Sequence, residues 1–471
     1  MKFKEFALLC VGLKSTSKKL FKIQLLYEYS LKFSGEEMMR VYDVLSGNFF
    51  REISKKEVGI SFRTIIDVLG EMYQMNSKTL HSHFQRHGDM FKLIDEFNTQ
   101  KSSLIDSSKL SVEEFMDVMV QISNISGSSA MSYKKQKLLS LFSKTYLLEE
   151  RQVLSAILSD LLKIGTNEGV LHEAFVFSYF PKIEDFHYYS QVNDCWLYSS
   201  SIESEYLKFK RSLNGLDLSE SNSAQELEVV SIDSIEQLMH YSFPYSAYLV
   251  RSDMLSGKEI YEQLKMYFER MYSFIVSYRE VYKQLTHNAS TFLTPPIVFG
   301  KALQVMLGPR LYSFEEAQER VNFPVFCDYK YDGLRLIIQN EYGKVKLFSR
   351  NLEDLTSQFQ EVVQFVQDNF SHLSCVLDGE CIGFHKNTSE QVEFQELSKR
   401  IMTKSHNLKV NITIGLRLFD ILKFNDELVY LKPLKERQKI LRSLFLNQRI
   451  SVEKRQREED VAKKLKEYFG N

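Results

Sequence analysis

Residues 329–335, YKYDGLR, determine how the second half of this chain is interpreted. They fall in a run, 325–339, whose β-branched, aromatic and aliphatic residues predict a strand interrupted at Gly333. Glycine at that point permits a backbone that other residues resist. Lys330 is the residue of interest, because a lysine between Asp328 and a second aspartate, beside a buried strand, is unexpected unless its charge or its amine is used.

A lysine amine must lose its proton before it can act as a nucleophile. The ordinary pKa of lysine is about 10.4, so roughly one molecule in a few thousand carries the free amine at neutral pH. Asp328 and Asp332 favour the charged form, whereas a divalent metal arriving with a polyphosphate would occupy these carboxylates and free the amine. Attack on phosphorus would then give a lysyl phosphoramidate. The alternative, from these residues alone, is a surface lysine in a ladder of salt bridges.

Three further motifs follow, and the four together span about 90 residues. They are VKLFSRN at 345–351 with Arg350, CVLDGECIGF at 375–384 with Asp378 and Glu380 on one face of a predicted strand, and GLRLFDIL at 415–422 with Phe419. In this order the segments resemble the K-x-D-G-x-R, S-R-N, D-G-E and F-D motifs of covalent nucleotidyltransferases. The resemblance is closest to the ATP-dependent DNA ligases.

The resemblance implies that Lys330 attacks the α-phosphate of ATP, with Mg²⁺ assistance, and forms lysyl-AMP. The AMP would pass to a 5'-phosphate at a nick, and the neighbouring 3'-hydroxyl would displace it. Asp328 stands where such ligases usually carry a glutamate that recognises adenine. It is one methylene shorter, so this contact would be longer or made through water. The alternative for Asp328 is an ion pair with a nearby lysine or arginine.

Arg335 and Arg350 would donate to ribose or phosphate oxygens, since a guanidinium offers a fork of N–H groups. Arginines at strand ends are otherwise commonly exposed to solvent. Glu380 would bind the ribose hydroxyl or a metal ion, and Asp378 would orient its neighbours. The alternative for the two acids is a pair at the edge of a strand.

The alternation of residues along its predicted strand independently supports a nucleotide-binding role for Phe419. Aliphatic residues take one face, and Phe419 shares the other with polar or small residues; the aliphatic positions are Ile412, Ile414, Leu416 and Leu418, and the other face holds Thr413, Gly415 and Arg417. An aromatic ring on the non-aliphatic face suits stacking on a nucleobase. Packing against a second core layer is the alternative.

Residues 161–175, LLKIGTNEGVLHEAF, resemble the signature of the ligase DNA-binding domain, in which two glycines flank a short loop that enters a helix. Free amides at such a helix start suit a DNA phosphate, so the predicted contacts are Gly165, Thr166, Asn167 and Gly169. Segments 48–65 and 191–194 also resemble parts of that domain. This leader disfavours an RNA ligase or a capping enzyme.

The length of 471 residues predicts two or three domains. We expect an all-α DNA-binding domain at 1–285, divergent or carrying an insertion at about 196–285, then a linker at 286–300. An α+β adenylation domain with a mostly antiparallel sheet follows at 301–471. Within these, a hairpin turn is predicted at 340–344, and one long tyrosine-rich helix at 260–285 whose rings pack inside the protein rather than stack on bases. Two further segments are predicted to face solvent: a serine-rich and acidic loop at 216–234 and a basic helical cluster at 432–466.

Composition gives weaker indications. The net charge of -1 provides no general attraction to nucleic acid, so DNA binding must depend on local features. Five cysteines without metal-site spacing indicate free thiols in a reducing compartment. The opening MKFKEFALLC faintly resembles a signal peptide, but it merges into a helical pattern, and no apolar run is long enough to span a membrane. An intracellular protein without membrane partners is expected, cytoplasmic in a prokaryote and nuclear in a eukaryote.

Ligases of this family continue into an E-G motif, a K-x-K motif and an oligonucleotide-binding fold, and this sequence ends about where the first of these would begin. Losing one preorganised donor can cost roughly 10²- to 10³-fold in rate, so poor nick sealing by this polypeptide alone is expected. An incomplete sequence, a split gene or a non-catalytic DNA-binding remnant would each account for this. The expected partners are nicked double-stranded DNA and either a complementing C-terminal chain or a sliding clamp, in replication, repair and recombination.

Overall fold

The computed structural model describes residues 1–54, 60–97, 109–127, 129–184, 186, 188–190, 195–197, 200–213, 227–306, 308, 310–320, 330–386, 388, 390–397 and 412–444. The chain forms two compact units, Met1–Tyr272 with Ser277–Pro295, and Ser273–Val276 with Pro296–Asn471. The division after Pro295 lies inside the segment 286–300 that the sequence assigns to a linker.

The first unit is built mainly of helices. In chain order they are α1 Phe3–Lys14, α2 Lys19–Lys32, α3 Gly35–Leu45, α4 Asn48–Ser54, α5 Phe62–Tyr73, α6 Ser77–His87, α7 Met90–Phe97, α8 Val112–Asn124, α9 Ala130–Phe142, α10 Leu148–Leu158, α11 Glu168–Tyr179, α12 Ser200–Ser212, α13 Gly257–Ile275 and α14 Tyr278–His287. The predicted series of helices up to residue 180 is therefore confirmed. The series is free of proline until Pro181, which would break a helix interior.

Short polar side chains fix where several of these helices begin. Ser34, Ser61, Asn76, Ser111 and Asn167 each accept a hydrogen bond from a backbone N–H in the first turn of the helix that follows. Each such cap satisfies an amide that the helix itself leaves open and typically stabilises it by about 1 kcal/mol. The start of α11, where the DNA-contacting loop is predicted, is thus set locally by Asn167.

Helix α11 lies at the centre of the first unit. From Val170 to Tyr179 every residue is buried, including His172 and Glu173. A helix that is buried on all sides belongs inside a larger assembly of helices, and α11 packs against α2. Its N-terminal end alone reaches the surface, since Gly165, Asn167 and Gly169 are exposed.

The first unit is not wholly helical, which corrects the prediction for 1–285. Its strands are β1 Lys182–Ile183, β2 Tyr188–Ser190, β3 Cys195–Leu197, β4 Glu228–Ser231 and β5 Tyr248–Arg251. Strand β5 pairs in parallel with β1 and β4, and β2 pairs antiparallel with β3. Strands this short give too few alternating positions to be recognised by sequence period. Part of the predicted loop at 216–234 is therefore strand β4, and 214–226 lies outside the described residues.

The single helix predicted at 260–285 is two helices. Val276 adopts φ 53°, a left-handed conformation that ends α13, and Ser277 caps α14 by accepting from the amide of Glu280. The carboxylate of Asp43 accepts from the Ser277 hydroxyl at 3.3 Å and from the Tyr278 amide at 2.8 Å, which fixes the turn. Tyr261, Tyr272 and Tyr278 are buried, so the prediction that the tyrosines of this segment pack inside the protein is confirmed for these three.

The second unit contains a four-stranded sheet in the order β7-β6-β8-β9, antiparallel throughout. The strands are β6 Leu334–Glu341, β7 Lys344–Ser349, β8 Ser374–His385 and β9 Ile412–Phe424, and the helices are α15 Phe314–Arg320, α16 Gln360–Phe370 and α17 Leu434–Ser443. The predicted hairpin turn is confirmed, since Tyr342 and Gly343 between β6 and β7 have φ 49° and 88°. Of the strand predicted at 325–339, β6 confirms 334–339, whereas 330–333 are not strand, and 325–329 lies outside the described residues.

Both faces of the sheet carry buried apolar residues. One face packs against α16 and α17 through Leu336, Ile338, Leu347, Leu377 and Ile421, and the other holds Ile337, Phe348 and Val376 against Ile297 and Leu303. Burial of apolar area, at roughly 25 cal/mol per Å², stabilises this sheet, which carries the polar side chains described below.

Two further observations concern composition. In the part of the chain that the structure describes, no helix combines the length and the apolar character needed to cross a membrane. Cys10, Cys375 and Cys381 are buried free thiols, as expected for these three.

Candidate nucleotide and DNA sites

Lys330 stands immediately before the sheet. It is exposed and lies four residues ahead of Leu334, where β6 begins. The carbonyl oxygen of Asp332 accepts a hydrogen bond of 3.0 Å from the side-chain amide of Gln391, which ties the intervening backbone down. The amine of Lys330 is therefore presented to solvent from an anchored segment, as a nucleophile toward a bound substrate requires.

Gly333 brings this segment directly against β8. A Cβ at this position would lie 2.5 Å from the carbonyl oxygen of Cys381 and 2.9 Å from Cγ of Glu380. The need for glycine therefore arises from close approach to the neighbouring strand, not from the unusual backbone conformation that the sequence suggested. This contact sets Lys330 beside Glu380.

Arg335 is held by a bidentate ion pair. Its Nε and Nη2 donate to the two carboxylate oxygens of Asp378 at 3.0 and 2.6 Å, and Nη1 donates to the carbonyl of Met306 at 3.1 Å. Burial raises the pKa of Asp378, and the charge of Arg335 partly offsets this. The guanidinium thus connects β6, β8 and the segment before the sheet, while its five N–H groups leave further donors for a ligand.

Glu380, on β8, lies beside Arg335. It is the register partner of Arg335 on β6. Burial raises the pKa of the Glu380 carboxyl to about 7, and the charges of Arg335 and Lys330 work in the opposite direction. A carboxyl that is half protonated near neutral pH can both accept from and donate to a sugar hydroxyl.

Phe419 completes this group of side chains from β9. Its ring is half-buried, with the centre of the Arg335 guanidinium 5.5 Å from the ring centroid. The predicted alternation holds up to this point, because Ile412 and Leu418 are in the core under the sheet. One face of the Phe419 ring is thus associated with a cation, the arrangement of a cation–π pair.

The described contacts do not link Arg350, another predicted nucleotide contact, to this group. Arg350 is exposed in the turn after β7. Asp328 lies outside the described residues, so its proposed contact with adenine stays a prediction. The residues called the nucleotide cluster below are Lys330, Arg335, Asp378, Glu380 and Phe419.

The nucleotide cluster does not resemble a metal site. Both oxygens of Asp378 are engaged by Arg335, and the described residues contain no group of three or more His, Cys, Asp or Glu side chains that could hold an ion. A protein-bound Mg²⁺ on Glu380 is therefore without support from the residues around it, since divalent ions need several oxygen ligands.

The predicted DNA-contacting loop lies at the surface end of α11. Asn167 caps the helix by accepting from the amide of Val170 at 3.0 Å, and Gly165 adopts φ +65°. Both Gly165 and Gly169 are exposed and offer backbone without a side chain, and Thr166 is half-buried. The carboxylate of Glu168, in the first turn, would repel a bound anion. Its Oε1 lies 3.8 Å from Nη2 of Arg51, so its charge is partly offset.

A buried lysine holds this loop from behind. The amine of Lys22, on α2, donates to the carbonyl oxygens of Ile164 and Gly165, each at 2.7 Å. Lys22 is 4% exposed, and burial lowers the pKa of its amine. Because these two carbonyls turn inward to the lysine, the loop is fixed in the conformation in which it enters α11.

Sequence reasoning missed Lys22 and two residues of α17, Arg437 and Gln438. Arg437 donates to both oxygens of Asp420, each at 2.8 Å, and Gln438 donates to the carbonyl of Phe419. The basic cluster at 432–466 was predicted to be a solvent-facing helix; α17 is helical, but these two side chains face the sheet, and 445–471 lies outside the described residues. The spacing of Leu434, Arg437, Gln438 and Leu441 along one side of a helix was the available signal.

Comparison with known proteins matches both parts of the chain. Residues 305–469 match the ATP dependent DNA ligase domain, and residues 2–176 match the DNA ligase N terminus. The sheet unit is thus an ATP-dependent ligase domain, preceded by the helical domain found in DNA ligases. The chain belongs to the ATP-dependent DNA ligase family.

Individual relatives agree. The DNA ligase of Nanoarchaeum equitans is 23% identical over 450 residues, which are 94% of this chain and 64% of the relative. The DNA ligase of Methanococcus aeolicus is 23% identical over 453 residues, which are 94% of this chain and 65% of the relative. The DNA ligase of Thermoplasma volcanium is 38% identical over 154 residues, which are 32% of this chain and 26% of the relative. In the first two of these comparisons almost all of this chain is matched, but it spans just under two thirds of the length of each relative.

Proposed function

We propose that this chain carries out the ATP-dependent steps of DNA nick sealing, with Lys330 as the residue that becomes adenylated. The observation that supports this most strongly is the convergence of the nucleotide cluster at the start of β6. Three strands and the segment before them supply its five side chains, and Gly333 sets Lys330 against Glu380.

The proposed first step is an in-line displacement at the α-phosphorus of ATP. Deprotonated Nζ of Lys330 forms a P–N bond, the bond from phosphorus to the bridging oxygen breaks, and pyrophosphate leaves with that electron pair. The lysine proton passes to solvent. Arg335 donates to the nucleotide while Asp378 fixes its direction, Glu380 binds the ribose and Phe419 covers the base.

In the proposed second and third steps, a 5'-phosphate at a nick takes AMP from Lys330, and the 3'-hydroxyl then displaces AMP to join the strands. Magnesium would come with the phosphates of ATP, because the cluster lacks a metal-binding set of its own. The helical unit would hold duplex DNA through the Gly165, Thr166, Asn167 and Gly169 loop, whose backbone amides can donate to a phosphate.

The test is incubation of the purified chain with α-labelled ATP and Mg²⁺, followed by denaturing electrophoresis. Label that stays on the wild-type chain and is lost in Lys330→Ala supports the proposal. Lys344→Ala, which removes an exposed lysine at the start of β7, is the matched control and should label normally. Acid-labile label that survives base would identify a phosphoramidate. No label on the wild type would contradict the proposal and favour a nick-binding protein without catalysis.

The DNA step needs a separate assay. Adenylated chain is mixed with nicked duplex DNA, intact duplex DNA or nicked RNA, and transfer of label to the 5'-phosphate is followed. Transfer to nicked DNA alone is expected. The assay is repeated with a candidate C-terminal chain and with a sliding clamp, the two partners proposed to complete or recruit the enzyme. A gain in label transfer with either would identify which one acts.

A further inference from the structure

Phe419 is the extra residue of a β-bulge. In the pairing of β8 with β9, Gly379 is opposite Leu418 and Asp378 is opposite Asp420. Strand β9 therefore has one more residue than β8 between these two pairs, and that residue is Phe419. A bulge bends its strand and re-aims the side chain at that point, and bulges are common next to active sites.

The bulge has a consequence for the core. Leu418 and Ile421 are three residues apart, yet both are buried in the cluster beneath the sheet. In a regular strand, residues three apart point to opposite faces. The bulge therefore allows β9 to bury both residues while Phe419 faces the nucleotide cluster.

Helix α17 holds the bulge at its backbone. The side-chain amide of Gln438 donates to the carbonyl oxygen of Phe419 itself. Gln438 is 5% exposed, so this bond is protected from competing water. The position of the Phe419 carbonyl, and with it the direction of the ring, depends on a residue of another element.

The same helix also holds the next residue along β9. Nε and Nη2 of Arg437 donate to the two oxygens of Asp420 at 2.8 Å each, and Nη1 donates to the carbonyl of Lys432 at 2.7 Å. A bidentate pair constrains direction as well as distance. Gln438 and Arg437 thus fix consecutive residues of the bulge.

The ion pair also limits repulsion inside the sheet. Asp420 and Asp378 are register partners on β9 and β8, and the charge of Asp420 adds to the effect of burial in raising the pKa of Asp378. Each carboxylate has its own arginine, Arg437 for Asp420 and Arg335 for Asp378. Arg335 in turn lies by the ring of Phe419.

We propose that Arg437 and Gln438 are positioning residues for ATP binding, which act by holding Phe419 in the bulge where its ring can cover the base. This rests on the proposed function, in which Phe419 contacts the nucleotide. Neither residue touches the reacting atoms. Their effect is therefore expected on the ATP concentration needed for adenylation and much less on the limiting rate.

The experiment measures adenylation of the full chain with α-labelled ATP over a range of concentrations, giving a half-saturating concentration and a limiting rate. Gln438→Met keeps the volume of the side chain and removes the donor. Its half-saturating ATP concentration should rise about tenfold, which corresponds to 1.4 kcal/mol of binding free energy. Arg437→Lys keeps the charge but cannot form the fork, so a smaller rise is expected. Arg442→Met removes an exposed arginine of the same helix and should match the wild type.

A double-mutant cycle separates positioning from general support of the fold. Phe419→Leu alone should raise the half-saturating concentration, and adding Gln438→Met to it should change little more, because the residue that Gln438 positions is gone. The inference is overturned if Gln438→Met binds ATP like the wild type, or if it has its full effect in the Phe419→Leu background. If wild-type chain takes no label, or Phe419→Leu has no effect, it is the proposed function that fails, and this inference with it.

Discussion

Arg335 and Asp378 form a two-point ion pair between β6 and β8, with N···O distances of 3.0 and 2.6 Å. The carboxylate of Asp378 is almost fully buried, and the arginine side chain keeps 26% of its surface exposed. If Arg335 is removed, the buried carboxylate of Asp378 therefore cannot be solvated by water.

Arg335→Met should destabilise the protein by about 3 kcal/mol, since it leaves a buried carboxylate without its cation. The double variant Arg335→Met with Asp378→Leu should recover much of that loss, because both charges are then gone. Urea unfolding measures both. Equal losses in the single and double variants would contradict the idea that the uncompensated charge is the cause.

Gly333→Ala should slow adenylation roughly 10²-fold. The new methyl would overlap the carbonyl oxygen of Cys381, which belongs to β8 and cannot move without disturbing the sheet. Relief must come from the segment that carries Lys330, and a displacement of about 1 Å can reduce a rate roughly 10²-fold.

Gly308→Ala is the matched control for this change, because a Cβ there meets no atom of the described residues within 4 Å and its φ lies outside the left-handed region. Labelling with α-labelled ATP compares the two variants, and thermal melting records their stability. Normal labelling of Gly333→Ala would show that the close contact does not position Lys330.

Glu380→Gln should change how stability depends on pH. Burial raises the pKa of Glu380 from 4.5 to about 7, so the folded chain binds this proton more tightly than the unfolded chain. The associated stability is fully present below about pH 4.5 and is lost as pH rises through about 7. Glutamine cannot titrate, so this contribution disappears in the variant.

The measurement is the difference in melting temperature between wild type and Glu380→Gln from about pH 5 to about pH 8. The wild type should lose stability relative to the variant as pH rises. The difference removes contributions from titrating groups that do not interact with Glu380. A constant difference across this range would mean that the folded-state pKa of Glu380 is close to its ordinary value.

Gly165→Ala should weaken DNA binding more than it weakens the fold. At φ +65° an alanine costs about 1 to 2 kcal/mol, and its Cβ would lie 2.6 Å from the amine of Lys22. The lysine must then withdraw from the two carbonyls that it holds, and the loop loses its support.

Gly88→Ala is a close control, because Gly88, at the end of α6, has φ +61° and a Cβ there would meet no atom of the described part of the chain within 4 Å. Both variants should lose stability in urea unfolding through the left-handed strain, and Gly165→Ala should lose more because Lys22 is also displaced. In binding assays with nicked duplex DNA, only Gly165→Ala should lose affinity. Equal affinities would remove the loop from the proposed DNA interface.

Much of the nucleotide cluster was predictable because its residues stand at fixed distances along the chain from Lys330. Arg335, Glu380 and Phe419 were each found from a short motif, and the sheet brings them together. Burial of the helical faces was also predictable, since the period of apolar residues records which side meets the core. The family match was recognisable for the same reason.

The contacts that hold these residues were not predictable from local pattern. Lys22 is 142 residues from the carbonyl of Ile164 that it binds, and nothing in its own helix distinguishes it from an exposed lysine. The bulge at Phe419 breaks the two-residue period that a sequence pattern relies on, so Ile421 would be assigned to the wrong face. Close packing at Gly333 likewise involves two strands that only the tertiary fold brings together.

Lys22 also bears on how DNA affinity would respond to ionic strength. Cations that neutralise phosphates release condensed counterions, and this makes binding fall steeply with salt. The charge of Lys22 points into the protein, toward carbonyl oxygens, so it displaces no counterion from DNA. A loop that offers amides to a phosphate, on a chain with net charge -1, would give a salt dependence shallower than its number of phosphate contacts suggests.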